Sequence, residues 1–145
     1  MKVLVQKVLS AAVSVAHNEV ASIKNGYVLF IGINKDDSKA QAEYLAKKVA
    51  SLRIFTDEND KMNLSVCDVR GEILAISQFT LAADLSHGNR PGFSSAEEPH
   101  KAQILYDYFV DELKKHNITV KTGIFQAHME VSLINDGPCT FWLEK

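Results

Sequence analysis

Two short stretches place polar groups where chemistry is feasible: Ser77-Gln78-Phe79-Thr80-Leu81 and Asn135-Asp136-Gly137-Pro138-Cys139-Thr140. The first closes an apolar run, EILAISQFTL from Glu72, that reads as a strand through the core. Polar side chains there carry more information than polar side chains in a loop. Three readings of it compete. Ser77 and Thr80 can hydrogen-bond neighbouring backbone while Phe79 packs. Thr80 or Ser77 can act as a nucleophile with His87, His100 or His128 as base, although there is no GxSxG elbow and no acid placed to orient a histidine. In the third reading, Gln78 and the backbone N–H groups hold a polar substrate or an oxyanion. The second stretch joins Asp-Gly, a tight-turn signal, to Pro138, which cannot donate to a sheet ladder. An X-Pro bond also adopts cis at small cost, which lets a fold aim main-chain carbonyls in a fixed direction. A reactive thiol needs a cationic neighbour, and Cys139 has none in sequence, so it reads as a small packed residue.

These groups sit in a chain of 145 residues, 46% hydrophobic and 23% charged, which suits one domain, 1–145, with a real core. Sixteen Lys and Arg against 18 Asp and Glu give a net charge of −2. That excludes a long nucleic-acid footprint and leaves room only for local contact with an end. The two cysteines form no CxxC or zinc pattern, as expected of a reduced, cytoplasmic chain. The N-terminal MKVLVQKVLSAAVSV is broken by Lys2, Gln6 and Lys7, too often for a signal peptide, and no run is long enough to span a membrane. Asp57-Glu58-Asn59-Asp60 lacks EF-hand spacing and reads as a solvated turn. No metal and no cofactor is expected.

The positioning elements follow from periodicity. Residues 2–9 read as a strand with Val3, Val5 and Lys7 on one face, Lys7 being a solvated side chain. Residues 11–23 read as two short strands turning at His17-Asn18, and 27–33 as a buried strand. Ser38 opens a helix, with Gln41 at capping-box spacing and Ala42, Leu45, Val49 and Leu52 as its apolar stripe. Residues 64–69 read as a weak strand turned by Arg70-Gly71, before the strong strand at 72–81. The polar stretch 82–96 is long for a loop, and such loops are often functional. Residues 95–117 hold a second helix, with Pro99 in its first turn and Ala102, Leu105, Phe109 and Leu113 facing the core. Residues 118–121 form a strand, and 125–129 lead into a closing hairpin over 129–144 whose turn is Asn135–Pro138. The order predicts an α+β fold: a curled, mostly antiparallel sheet or barrel with two packed helices.

Ser77–Leu81 and Asn135–Thr140 together resemble the two signature motifs of the D-aminoacyl-tRNA deacylases, also called D-tyrosyl-tRNA deacylases. The similarity covers the whole chain, including MKVLVQKVLSAAVSV and the Gly88-Asn89-Arg90-Pro91 loop. It implies a homodimeric cytoplasmic hydrolase that cleaves the ester between a D-amino acid, or glycine, and the tRNA 3′-terminal adenosine. In that family the Gly-Pro bond is cis and its carbonyls reach into the partner subunit's pocket. By resemblance, Gly137 and Pro138 hold the α-amino group and leave no room for an L side chain. Gln78 fixes the terminal ribose beside Ser77, and the N–H of Phe79 or Thr80 stabilises the oxyanion. Phe125, Ala127 and Met129 match the region that stacks on adenine. The RNA's own 2′-hydroxyl helps to activate water, so no side-chain nucleophile is implied. Three positions depart from the family pattern: Cys139 for the usual Val, His128 for a common acidic residue, and Lys7 for the usual Arg. Lys lacks the planar fork that orients the Gly-Pro turn or its neighbours. Neither motif's core is altered. The alternative is a non-catalytic dimeric module that holds a nucleic-acid end; an ordinary serine or cysteine hydrolase is a third.

Overall fold

A computed structural model describes residues 1–145. Strand β1 runs unbroken from Lys2 to Val15, where the sequence predicts two pieces. It is long because one of its edges serves two partners. β3 (Gly26–Gly32) pairs with its first half, Lys2↔Gly32 to Val8↔Gly26, and β2 (Asn18–Ile23) with its second, Ala11↔Ile23 to Val15↔Asn18. The exposed Leu9 and Ser10 mark the handover.

Helices α1 (Lys39–Ser51) and α2 (Pro99–Lys114) pack on one face of the sheet. α1 starts at the expected capping box, Ser38 with Gln41, and buries Ala42, Leu45 and Val49. α2 begins later than Ser95, because the preceding segment is tied elsewhere. Lys35 N donates to Ser95 O (2.9 Å) and Glu97 N to Ile33 O (3.1 Å). Glu98 caps α2, accepting from His100 N and Lys101 N at 3.0 and 3.2 Å. β4 (Phe55–Thr56) and β5 (Met62–Leu64) form a small separate hairpin. The strand expected over 64–69 is instead a turn, fixed by the Asp68 carboxylate accepting from Ser65 N and Oγ (2.8 and 2.7 Å).

β6 (Glu72–Ser77) pairs in parallel with β3 and with β7 (Thr119–Thr122). Parallel neighbours need a crossover, and α1 and α2 supply the two crossovers. Within this main sheet the antiparallel pairs all involve β1, whose other edge carries β8 (Glu130–Glu144). The sheet curls until β2 approaches β7, where Lys121 Nζ donates to Ser22 O at 2.6 Å. A small apolar cluster that includes Val8, Val13 and Leu74 fills the curl, and the larger core lies under the helices.

The expected closing hairpin does not form. β8 is one strand running the whole length of β1, from Ser14↔Glu130 to Lys2↔Glu144. The register jumps between Val8↔Asn135 and Gln6↔Thr140, so Asp136 to Cys139 stand opposite Lys7 alone. The Asp-Gly-Pro bend is real, but both arms return to the same neighbour, which makes a bulge.

Candidate active site

Gln78 N makes the last rung of the β3–β6 ladder by donating to Ile31 O (2.7 Å), and the chain then winds into a 3₁₀ turn over Phe79–Ala82. Gly32 makes room for that turn: a Cβ there would lie 2.8 Å from Leu81 Cβ and 3.2 Å from Gln78 O. Within the turn, Gln78 Nε2 donates to Thr80 Oγ1 at 2.5 Å. The N–H groups of Phe79 and Thr80 open the turn, where a helix leaves its first donors without internal partners. Phe79 is exposed and its ring lies 4.9 Å from that of Phe93.

A cavity of about 480 Å³ adjoins this turn, between the ends of β3 and β6, the start of α2 and the segment leading into β8. Tyr106 donates from Oη to Ala75 O (2.9 Å) on one wall. Burial pushes its phenol far up, so it stays a fixed, protonated donor. Phe125 lies 5.8 Å from the Tyr106 ring. Gly123 admits Met129 beside it, since a Cβ there would lie 2.5 Å from Met129 Sδ.

Of the residues singled out from sequence, Ser77, Gln78, Phe79, Phe125, Ala127 and Met129 line this one cavity. Thr80 stands exposed in the adjoining turn. No histidine hydrogen-bonds to Ser77 or Thr80, and Thr80 Oγ is already engaged by Gln78, so no nucleophile–base pair is assembled. Glu97 and Tyr106 also line the cavity and were not foreseen as site residues. Glu97 reads in sequence as a helix-end charge. Tyr106 follows Leu105 on the apolar stripe, where an aromatic reads as core. His128, a candidate base and a departure from the family pattern, is exposed and lines the cavity.

Gly137 and Pro138 do not line the cavity; both are exposed on the bulge. Their peptide bond is cis, and Gly137 has φ +125°. Asn135 clamps the bulge, its Oδ1 accepting from Cys139 N (2.8 Å) and its Nδ2 donating to Thr140 Oγ1 (2.9 Å). Lys7 is not solvated as expected. It is 7% exposed, and its Nζ pairs with Asp136 Oδ2 at 2.9 Å. The alternation that buries Val3 and Val5 carries Lys7 under the bulge, with Nζ 5.8 Å from the Phe55 ring centroid. Cys139 is buried there, and burial raises its thiol above the usual range despite the opposing pull of Lys7, so it is a packed residue. Within one chain, the two motifs therefore face different surfaces.

Comparison with known proteins gives a consistent result. The family model described as D-Tyr-tRNA(Tyr) deacylase matches residues 4–144. A protein of Pelobacter propionicus named D-aminoacyl-tRNA deacylase is 50% identical, with all of both chains covered. One of the same name from Thermodesulfovibrio yellowstonii is 51% identical over 99% of this chain and 98% of its own. A solved structure described as c-Myc DNA Unwinding Element Binding Protein superposes with a TM-score of 0.94 at 37% identity, covering 100% of this chain and 99% of that one.

Proposed function

The chain belongs to the D-aminoacyl-tRNA deacylase family, and we propose that it edits tRNA by hydrolysing the ester of D-aminoacyl-tRNA, and of glycine mischarged on tRNA-Ala, while sparing L-aminoacyl-tRNA. One observation carries the reading. Ser77–Phe79 and Phe125–Met129 line a cavity, while Gly137 and Pro138 project, exposed, from another surface of the same chain. A cavity lacking one wall and a projection lacking a cavity are complementary when two copies pair. The exposed apolar side chains of Leu9, Ile134 and Trp142 on the β1–β8 face favour such a homodimer.

In this scheme the terminal adenosine enters the cavity with its base against Phe125, Ala127 and Met129. Gln78 and Ser77 fix the ribose and ester. The N–H groups of Phe79 and Thr80 receive the developing oxyanion, and preplaced donors of this kind contribute about 3 kcal/mol. Water activated by the ribose 2′-hydroxyl attacks the carbonyl carbon and the ribose oxygen leaves. The partner's copy of the Gly-Pro bulge holds the α-amino group with main-chain carbonyls and fills the space an L side chain needs. Rejection by a clash leaves the D side chain unspecified. The protein acts as one domain, 1–145, in the cytoplasm. No helix is long and apolar enough to cross a membrane.

Incubation with D-tyrosyl- and L-tyrosyl-tRNA tests this: release from the D ester alone is expected, and equal turnover of both contradicts the backbone filter. A second reading, a dimeric module that binds a nucleic-acid end without catalysis, is favoured by the DNA-binding name of the 37%-identical structure. Saturable binding with the ester intact after long incubation would select it.

A further inference from the structure

We propose that Glu97 makes this cavity prefer D-amino acids with cationic side chains, such as lysine, arginine and ornithine, over aspartate and glutamate. The inference rests on reading the cavity as the deacylase pocket and adds a substrate class to it. Position is the first argument. Gln78 N donates to Ile31 O (2.7 Å) and Glu97 N to Ile33 O (3.1 Å). Carbonyls two residues apart on an extended chain point to the same side, about 7 Å apart. Glu97 is therefore fixed beside the Ser77–Thr80 turn, at the acyl end. Phe125, packed on Tyr106 two helical turns from Pro99, lies at the other end. Glu97 is half-buried and flanked by the exposed Glu98 and Pro99, so it stands at the mouth, where a D side chain leaves for solvent.

The second argument is that its charge is only partly engaged and has no cationic partner. Oε1 accepts from Glu98 N at 2.7 Å, and Oε2 has no protein donor. No Lys, Arg or His lies within ion-pair distance of Glu97. Capping of α2 is done by Glu98. Glu97 is the one acidic side chain lining the cavity, and His128 is the one basic side chain there. A partly solvated carboxylate a few Å from a charged group shifts relative affinity by about tenfold between opposite and like charge.

The test uses non-hydrolysable 3′-amides of 3′-amino-3′-deoxyadenosine carrying D-lysine, D-glutamine, D-glutamate or L-lysine, titrated by calorimetry at low and high salt. Rates on D-lysyl- and D-glutamyl-tRNA complement the binding data. The wild type is expected to bind the D-lysyl amide about tenfold more tightly than the D-glutamyl amide, with the gap narrowing at high salt. Glu97→Gln should close the gap and Glu97→Lys should reverse it, both normalised to the D-glutaminyl amide. An identical gap in wild type and Glu97→Gln overturns the assignment while leaving the deacylase reading intact. Equal binding of D- and L-lysyl amides overturns that reading, and failure of every amide to bind overturns both.

Discussion

The turn after β6 and the bulge of β8 are both short polar interruptions of a strand, yet they build opposite things. At Ser77–Ala82 the chain folds inward on the end of β3, and the surrounding elements close a cavity around it. At Asp136–Cys139 four residues stand opposite one, so the backbone is pushed out and held from beneath by Lys7 and from the side by Asn135. One interruption makes a receptacle, the other a probe. A chiral filter built from main chain is easier to arrange this way. In the proposed scheme the filter and the oxyanion donors then occupy different stretches of backbone.

Substitutions can break that comparison, the severest at the probe. Gly137 lies at φ +125°, and a Cβ there would approach Cys139 Cβ at 3.2 Å. Gly137→Ala is expected to lower D-ester hydrolysis on the order of a hundredfold in single-turnover assays, as displacement of a positioning group by about 1 Å does. Full activity would separate the bulge from the site. Beneath it, Lys7→Ala should cost about 2 kcal/mol in urea unfolding, because it removes a packed, buried cation while the half-exposed Asp136 turns to water. Lys7→Arg should recover most of that cost.

At the receptacle, Thr80→Ala removes the partner of Gln78 Nε2 but no backbone donor. A loss of about tenfold in kcat is expected, whereas a covalent nucleophile requires near-total loss. Gly123→Ala pushes Met129 from its place through the flexible end of that side chain. A rise of about threefold in KM for tRNA, with kcat little changed, is the expected signature of lost uniform binding. The smallest effect concerns the frame. Backbone donors from His100 and Lys101 hold the Glu98 carboxyl below its usual value of 4.5. Its share of stability is therefore present above that value and is lost as pH falls through the lower folded value. Wild type should exceed Glu98→Gln in thermal stability at neutral pH, and the difference should shrink on acidification below about pH 4.

Both helices, the capping box at Ser38 and the α+β class were legible because each depends on contacts within a few residues. The cavity lining around Phe125–Met129 and Ser77–Phe79 came from resemblance; periodicity alone left three readings open. Features set by contacts distant in sequence were not legible, three of them at or beside the two motifs. Lys7 looked solvated because nothing local shows that a bulge 129 residues away will cover it. Glu97 looked like a helix-end charge because its tie to Ile33 joins residues far apart in sequence. The closing segment looked like a hairpin because Asp-Gly-Pro specifies a bend without specifying what the two arms pair with.

By itself the sequence determined both helices, the buried strands near 27–33 and 72–77 and the residue types at the two motifs, since propensity, capping and turn chemistry are short-range. Tertiary structure alone decided that β1 would serve as the common neighbour of both arms of β8. It also decided that one motif would face a cavity and the other face away. Strand register is chosen by which long-range pairing buries the most apolar surface with its hydrogen bonds met, and that sum is taken over the whole sheet.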